Sequence, residues 1–400
     1  MSSALKRKAQ SPVPEAKSPT VQSPKGQAKS PTPGPASPTP GPASTTPGPA
    51  SPTPGPVSPP AAQSDEPTEL LPGAHWGELH VPDDNDSTLG DSDVESSTAS
   101  ISSTILQYRT IKGRTYHNDA VSDTEYWGPN DAKAMEVMDI YHHAMTLILD
   151  EKLYTAPLSK DIKNALDVGT GTGLWAIDFA DEFPNCTVIG TDISPIQPSW
   201  VPPNLQFNID DATREWTYQP DFFDYIHIRW LCGTIKDWTS LYKEAYKCLK
   251  PGGWIEHMDG EVNAVCLDGT MPKDSATYQW GQLWTEIQRK TGVIFTMINS
   301  GCMENGIKEA GFTNIQIEDF LAPTSPWPTD EKQRQIGLYQ SVALMTDVEG
   351  FLTYFFGQVM GWADNEMANF AASLRREYKE CKIHANIKWR VVRAQKPLDA

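Results

Sequence analysis

Basic charge is scarce in these 400 residues: 33 Lys and Arg stand against 51 Asp and Glu, a formal net charge of −18. A body so acidic repels a phosphate backbone, which argues against direct nucleic-acid binding. Cysteine is also sparse. Cys186, Cys232, Cys248, Cys266, Cys302 and Cys381 are scattered, with no CxxC pair and no His-rich partner spacing, so they are expected to be reduced, structural thiols rather than metal ligands. Long apolar runs are missing too. The start, MSSALKRKAQSPVP, has no apolar segment for a secretory signal. The most apolar stretch, FLTYFFGQVMGWA at 351–363, is too short for a bilayer span and is interrupted by Gln358. The expectation is a soluble intracellular protein, nuclear or cytoplasmic, with no membrane partner.

Proline is plentiful but unevenly spent, concentrated in the first sixty residues. From Ser30 to Ser58 the chain repeats SPTPGPA with small variations. Such a repeat has no apolar side chains to bury and should sample polyproline II and coil. Residues 63–100 then carry ten acids and no Lys or Arg. Residues 1–104 are therefore expected to be a disordered tail and spacer, and 105–400 the folded domain. The Ser-Pro and Thr-Pro steps at Ser11, Ser18, Ser23, Ser30, Ser37, Ser51, Ser58, Thr32 and Thr39 would reverse the tail's charge if phosphorylated, which suits recruitment of a regulatory protein partner. Lys6-Arg7-Lys8 is a weak nuclear address.

Within 105–400 the periodicity changes. Met135, Met138, Tyr141, Met145, Ile148 and Leu149 form one stripe at helical spacing, with Asn130 or Asp131 as the cap after Pro129. Short β-type runs then alternate with helical patterns: 165–168, a helix over 173–183, 187–190, 205–209, 223–228, and 253–257 after the helix stop Lys250-Pro251-Gly252-Gly253. A helix at 303–312, a strand at 314–320, a helical insertion at about 325–383 and a strand at 387–394 complete the chain. Alternating βαβ units predict an α/β, Rossmann-like doubly wound sheet.

The stretch LDVGTGTG places Gly169, Gly171 and Gly173 two apart between a strand and a helix start, where backbone N–H groups can approach a ligand. A dinucleotide turn wants a glycine at position 174, and Leu174 stands there; no Gly-Lys-Ser/Thr follows, so a P-loop is excluded. The pattern fits the turn used for S-adenosyl-L-methionine. Asp167 leads into it. Asp192 ends the second strand, followed by Ile193, where a carboxylate can accept two ribose hydroxyls, with a turn residue as the plainer reading. Asp211 and Ala212 end the third, suited to an adenine edge, with Asp210 competing and an Asx-turn as the alternative. Arg229 to Cys232, ending the fourth, would border the sulfonium. Together with Thr170, these are the expected cofactor-binding residues.

QYRTIKGRTYH (107–117), EYWGPND (125–131), DIYHH (139–143), LDVGTGTG, GTDISPIQP, FDYIHIRWLCGTIKDW and CLKPGGWIE in that order resemble the fungal LaeA-like methyltransferases of class I, related to trans-aconitate methyltransferase-type domains. The resemblance spans residues 105–396 and leaves out the tail. It implies a seven-strand sheet whose last strand is antiparallel, S-adenosylmethionine as cofactor, and a nuclear regulator of secondary metabolism or development.

Methyl transfer from a sulfonium needs positioning more than acid–base groups. His117 is a candidate proton acceptor, with packing as the alternative. His142 and His143, adjacent on a helix, face apart and do not form a joint metal site. No Asn-Pro-Pro-Tyr/Phe or Pro-Cys follows the fourth strand and no paired-glutamate loop is present, which argues against DNA and arginine acceptors and leaves a small molecule or another protein side chain. Trp280, Trp284, Phe295, Tyr354, Phe355, Phe356 and Trp362 read as core, with an apolar acceptor pocket as the alternative. Two function classes remain: a methyltransferase, and a catalytically silent regulatory scaffold that binds the same cofactor. A nicotinamide enzyme is disfavoured by Leu174.

Overall fold

The computed structural model describes residues 70–79, 107–117, 122 and 126–400. The proline-rich repeat, its phosphorylation steps and Lys6-Arg7-Lys8 lie outside the described residues. Residues 70–79, within the stretch assigned to the tail by composition, contain a short helix, α1 (Gly73–Gly77). Five residues make too few turns to hold a helix by hydrogen bonds alone, and packing does it instead. Trp76 is 2% exposed and meets Phe370 edge-to-face at 4.8 Å, and Asn369 Nδ2 donates to the carbonyls of Trp76 and Leu79.

A hairpin of β1 (Arg109–Ile111) and β2 (Arg114–Tyr116) precedes α2 (Ala132–Ile148). Of the two cap candidates, Asp131 is the one that accepts from the Ala134 N–H. Next come β3 (Asn164–Val168), α3 (Leu174–Glu182), β4 (Thr187–Asp192), β5 (Leu205–Ile209), β6 (Phe223–Arg229), α4 (Trp238–Cys248) and β7 (Leu249–Gly260). A short β8 (Val265–Cys266), α5 (Ala276–Thr291), α6 (Cys302–Glu309) and β9 (Thr313–Pro323) follow. The helical stretch before the last strand holds α7 (Glu331–Thr346), α8 (Val348–Leu352), a π-helical turn at Thr353–Val359 and α9 (Asp364–Glu380), and β10 (Ala385–Gln395) closes the chain.

The sheet runs β5-β4-β3-β6-β7-β10, with β9 and β8 paired to β10. Pairs from β5 to β7 are parallel, and β10 is antiparallel to both β7 and β9. The α/β architecture expected from the alternation is observed, as is the antiparallel last strand that the resemblance implies; the sheet has eight strands rather than seven because the short β8 adds to β10. Strand order reverses between β3 and β6, so a crevice opens at their carboxyl ends. β3 is buried from Ala165 to Val168 because both faces are covered. Ala165, Val188 and Tyr225 meet Trp175 and Phe179 of α3 on one side; Leu166, Ile226 and Ile255 meet Leu241 and Ala245 of α4 on the other.

The insertion's aromatics settle as core. Trp284, Phe295, Phe355, Phe356, Trp362 and Phe370 form one buried cluster of edge-to-face and tilted rings, for example Trp284 on Phe295 at 4.7 Å. Among the described residues no helix is long and apolar enough to cross a membrane.

Candidate functional site

Four strand ends, those of β3, β4, β5 and β6, and one helix face enclose the crevice. The turn after β3 takes left-handed backbone at Gly169, Gly171 and Gly173, with φ of 68°, 58° and 85°. The first two line the cavity. Gly173 does not: it caps α3 and packs on β5, where a Cβ would sit 2.3 Å from the Phe207 ring. The third glycine thus serves helix–sheet packing, the role the missing glycine at 174 would have filled in a dinucleotide turn.

Asp167, Thr170, Asp192, Ile193, Asp211, Ala212 and Arg229 also line this one cavity. Asp192 projects from the end of β4. One oxygen accepts the Gly171 N–H and the other the Ser194 N–H, each at 2.9 Å, which fixes the carboxylate and leaves lone pairs toward the crevice. Burial pushes its pKa up to about 6, against the pull of these N–H groups. Asp211 is committed inward. Its oxygens accept from Ser122 Oγ at 2.6 Å and from the Thr213 N–H and Oγ at 2.9 and 2.7 Å. Asp167 accepts Thr170 Oγ1 at 2.6 Å and the His227 Nδ1–H at 2.8 Å. Burial holds His227 neutral, its pKa lowered to about 4, and its ring stacks on Trp175 at 3.6 Å.

The opposite wall comes from the N-terminal segment before β3. Asn130, Ala134, Val137, Met138, His142 and Met145 follow one face of α2 along the cavity. Asn130 Oδ1 is buried with no partner among the described residues. The far end is apolar, with Tyr126, Trp127, Trp230, Leu231, Ile235 and Phe351. The aromatic lining is thus Tyr126, Trp127, Trp175, Trp230 and Phe351, and none of the aromatics singled out around the insertion is in it. His117 lies outside the lining. It is 1% exposed, 6.0 Å ring to ring from Tyr126, and its carbonyl accepts from Arg109 Nε.

The charge pattern separates ligand classes. Five aspartates (Asp167, Asp192, Asp210, Asp211, Asp347) and a single Lys or Arg, Arg229, line the cavity. Such a lining repels a pyrophosphate and favours a sulfonium cation. A fixed carboxylate at the β4 end, left-handed glycines that bring backbone to the ligand, and unspent polar groups on Asn130 and Arg229 fit S-adenosylmethionine. Among the described residues no cluster of His, Cys, Asp and Glu could hold a metal ion.

Because hydroxyls need the ionised acceptor, S-adenosylhomocysteine affinity should be level above pH 7 and fall as pH drops through about 6, the raised pKa of Asp192. Calorimetric titration should give about tenfold weaker binding at pH 5 than at pH 7.5, and Asp192→Ala should weaken binding at pH 7.5 by at least ~tenfold and flatten the profile. An unchanged affinity in Asp192→Ala would remove the ribose assignment.

Comparison with known proteins gives one domain match, to a methyltransferase domain, over residues 141–317. Methyltransferase pytC of Aspergillus terreus is 36% identical over 76% of this chain and 93% of its own. The secondary metabolism regulator LAE1 of Cochliobolus heterostrophus is 35% identical over 71% of this chain and 94% of its own. The protein-methionine methyltransferase laeA of Emericella nidulans is 30% identical over 73% of this chain and 77% of its own.

Proposed function

Because this chain belongs to the LaeA-like class I S-adenosylmethionine-dependent methyltransferases, we propose that it methylates a soft nucleophile on a small molecule or a protein side chain held in the aromatic chamber, in a role that regulates secondary metabolism. The methyltransferase activity itself follows from the family. S-adenosylmethionine supplies a methyl group already activated on a sulfonium.

The observation that carries the acceptor reading is the continuity of the cavity, from the glycine turn and Asp192 to Tyr126, Trp127, Trp230 and Phe351. Aromatic walls exclude water and orient an acceptor in line with the donor. The chamber's ionisable groups are ill suited to remove a proton. Asp347 is bonded to Arg114, and burial pushes the Tyr126 hydroxyl and Cys232 thiol up, so both stay protonated. An acceptor with a ready lone pair, a thioether or neutral amine, suits such a chamber. The relative named as a protein-methionine methyltransferase supports the thioether, and the relatives named as regulators support the regulatory role.

The test is formation of S-adenosylhomocysteine and transfer of radiolabelled methyl in an extract of the source organism, split into small-molecule and protein fractions. Label should appear with the wild type. Phe351→Ala should leave S-adenosylhomocysteine affinity within about twofold and cut acceptor kcat/KM by ~tenfold or more, the loss of one packed ring. Tight cofactor binding with no label in any fraction would favour the scaffold instead.

A further inference from the structure

Arg229 is buried at the end of β6 and makes no ion pair with a carboxylate among the described residues, although acids surround it. It is also the one Lys or Arg along the cavity. Its Nη2 donates to His142 Nδ1 at 2.7 Å, and because an arginine cannot accept, that nitrogen must be the unprotonated one. The His142 proton therefore sits on Nε2 and is given to Asp178 at 3.0 Å. Burial lowers the pKa of His142 despite Asp178, which agrees with a neutral ring. Asp178 and His142 thus orient the guanidinium without neutralising it. Nη1 stays buried with no acceptor among the described residues. Asp167, which acts electrostatically on Arg229, has its oxygens taken by His227 and Thr170.

A buried guanidinium with unspent donors awaits an anion. It cannot face the sulfonium, because two cations side by side in a water-poor crevice repel. The amino-acid end of the cofactor carries its only carboxylate, separated from the sulfur by a short carbon chain. We infer that Arg229, oriented by His142 and Asp178, binds the α-carboxylate of S-adenosylmethionine. This rests on the methyltransferase reading and places Arg229 one group further along the cofactor than the sulfonium border expected from strand order. An anionic group on the acceptor is the rival occupant. The surroundings of Arg229 favour the cofactor, since Asp167, which bonds Thr170 of the glycine turn, lines the same cavity.

Calorimetric titration separates these. Wild-type protein should bind decarboxylated S-adenosylmethionine about 30-fold more weakly than S-adenosylmethionine, the loss expected for a charge-assisted pair. Arg229→Gln should cost S-adenosylmethionine a similar ~30-fold while leaving the decarboxylated compound within about twofold, and Arg229→Lys should fall between. His142→Leu should follow Arg229→Gln in direction with a smaller loss. Equal affinity of the wild type for the two compounds would overturn this assignment alone and needs no variant. Arg229→Gln weakening both compounds equally would show a structural role and overturn it as well. No binding of S-adenosylmethionine by the wild type would overturn the methyltransferase reading and take this one with it.

Discussion

Gly171→Val should weaken S-adenosylhomocysteine binding by at least about 100-fold, ~2.7 kcal/mol, with the fold intact. Gly171 has φ of 58°, a region that a β-branched side chain enters only with strain. Its N–H is the donor that fixes Asp192, so any backbone shift that relieves the strain releases the carboxylate expected to hold the ribose. A Cβ there would lie 3.3 Å from Met138 Sδ, and the valine methyls would extend across the gap between turn and α2. The cost falls on the cavity rather than on the core, so circular dichroism should be unchanged. Gly173→Ala makes the contrasting control. Its Cβ would strike the Phe207 ring at 2.3 Å, inside the α3–β5 packing, and should lower the melting temperature more than Gly171→Val does. A Gly171→Val protein with wild-type affinity would mean that the turn does not bound the ligand.

The two glycines also show what is legible locally. A strand, a turn and a helix start within ten residues leave their marks on adjacent positions, and Asp192 and Arg229 follow because a parallel sheet aligns its strand ends. Long-range juxtaposition leaves no such mark. Met138 and Ile148 share a helical stripe that periodicity assigns to a core, yet Ile148 is buried among protein atoms while Met138 lines the crevice. A helix at a cavity rim turns part of its apolar face to the ligand, and spacing cannot distinguish the two. His142 and Arg229 are 87 positions apart, and only the crossing of α2 over β6 reveals the pair. The aromatic chamber repeats the point. The rings singled out around the insertion, such as Trp284 and Phe355, pack on one another, and the wall pairs the insertion's Phe351 with Trp127 at 5.9 Å, from the other end of the domain. α1 escaped notice because its only apolar anchor, Trp76, finds its partner Phe370 almost 300 residues later.

Arg114→Leu should destabilise the domain by about 3–5 kcal/mol, the range for removing one partner of a buried ion cluster. Arg114, on β2, holds Asp131 at the start of α2 at 2.5 and 2.8 Å and Asp347 at the start of α8 at 2.8 and 2.7 Å. Burial works against its charge, and the two carboxylates more than compensate, so its pKa is raised. Without the guanidinium, Asp347, 3% exposed at the side chain, stays buried with Lys133 at 3.7 Å as its remaining cation. That residual pair points to the lower part of the range. Asp347 also accepts the Gly350 N–H and so sets the first turn of α8, which carries Gly350 and Phe351 into the chamber wall. The same variant should therefore reduce acceptor turnover more than cofactor affinity, because the residues expected to hold the cofactor lie at the ends of β3, β4, β5 and β6. Urea unfolding monitored by tryptophan fluorescence reads the stability. Adding Asp347→Asn and Asp131→Asn to Arg114→Leu should restore part of the loss, since the neutral amides no longer leave buried charge unpaired. An unfolding midpoint equal to wild type in Arg114→Leu would mean that β2, α2 and α8 are joined by their apolar contacts alone, and that the acceptor wall does not depend on this cluster.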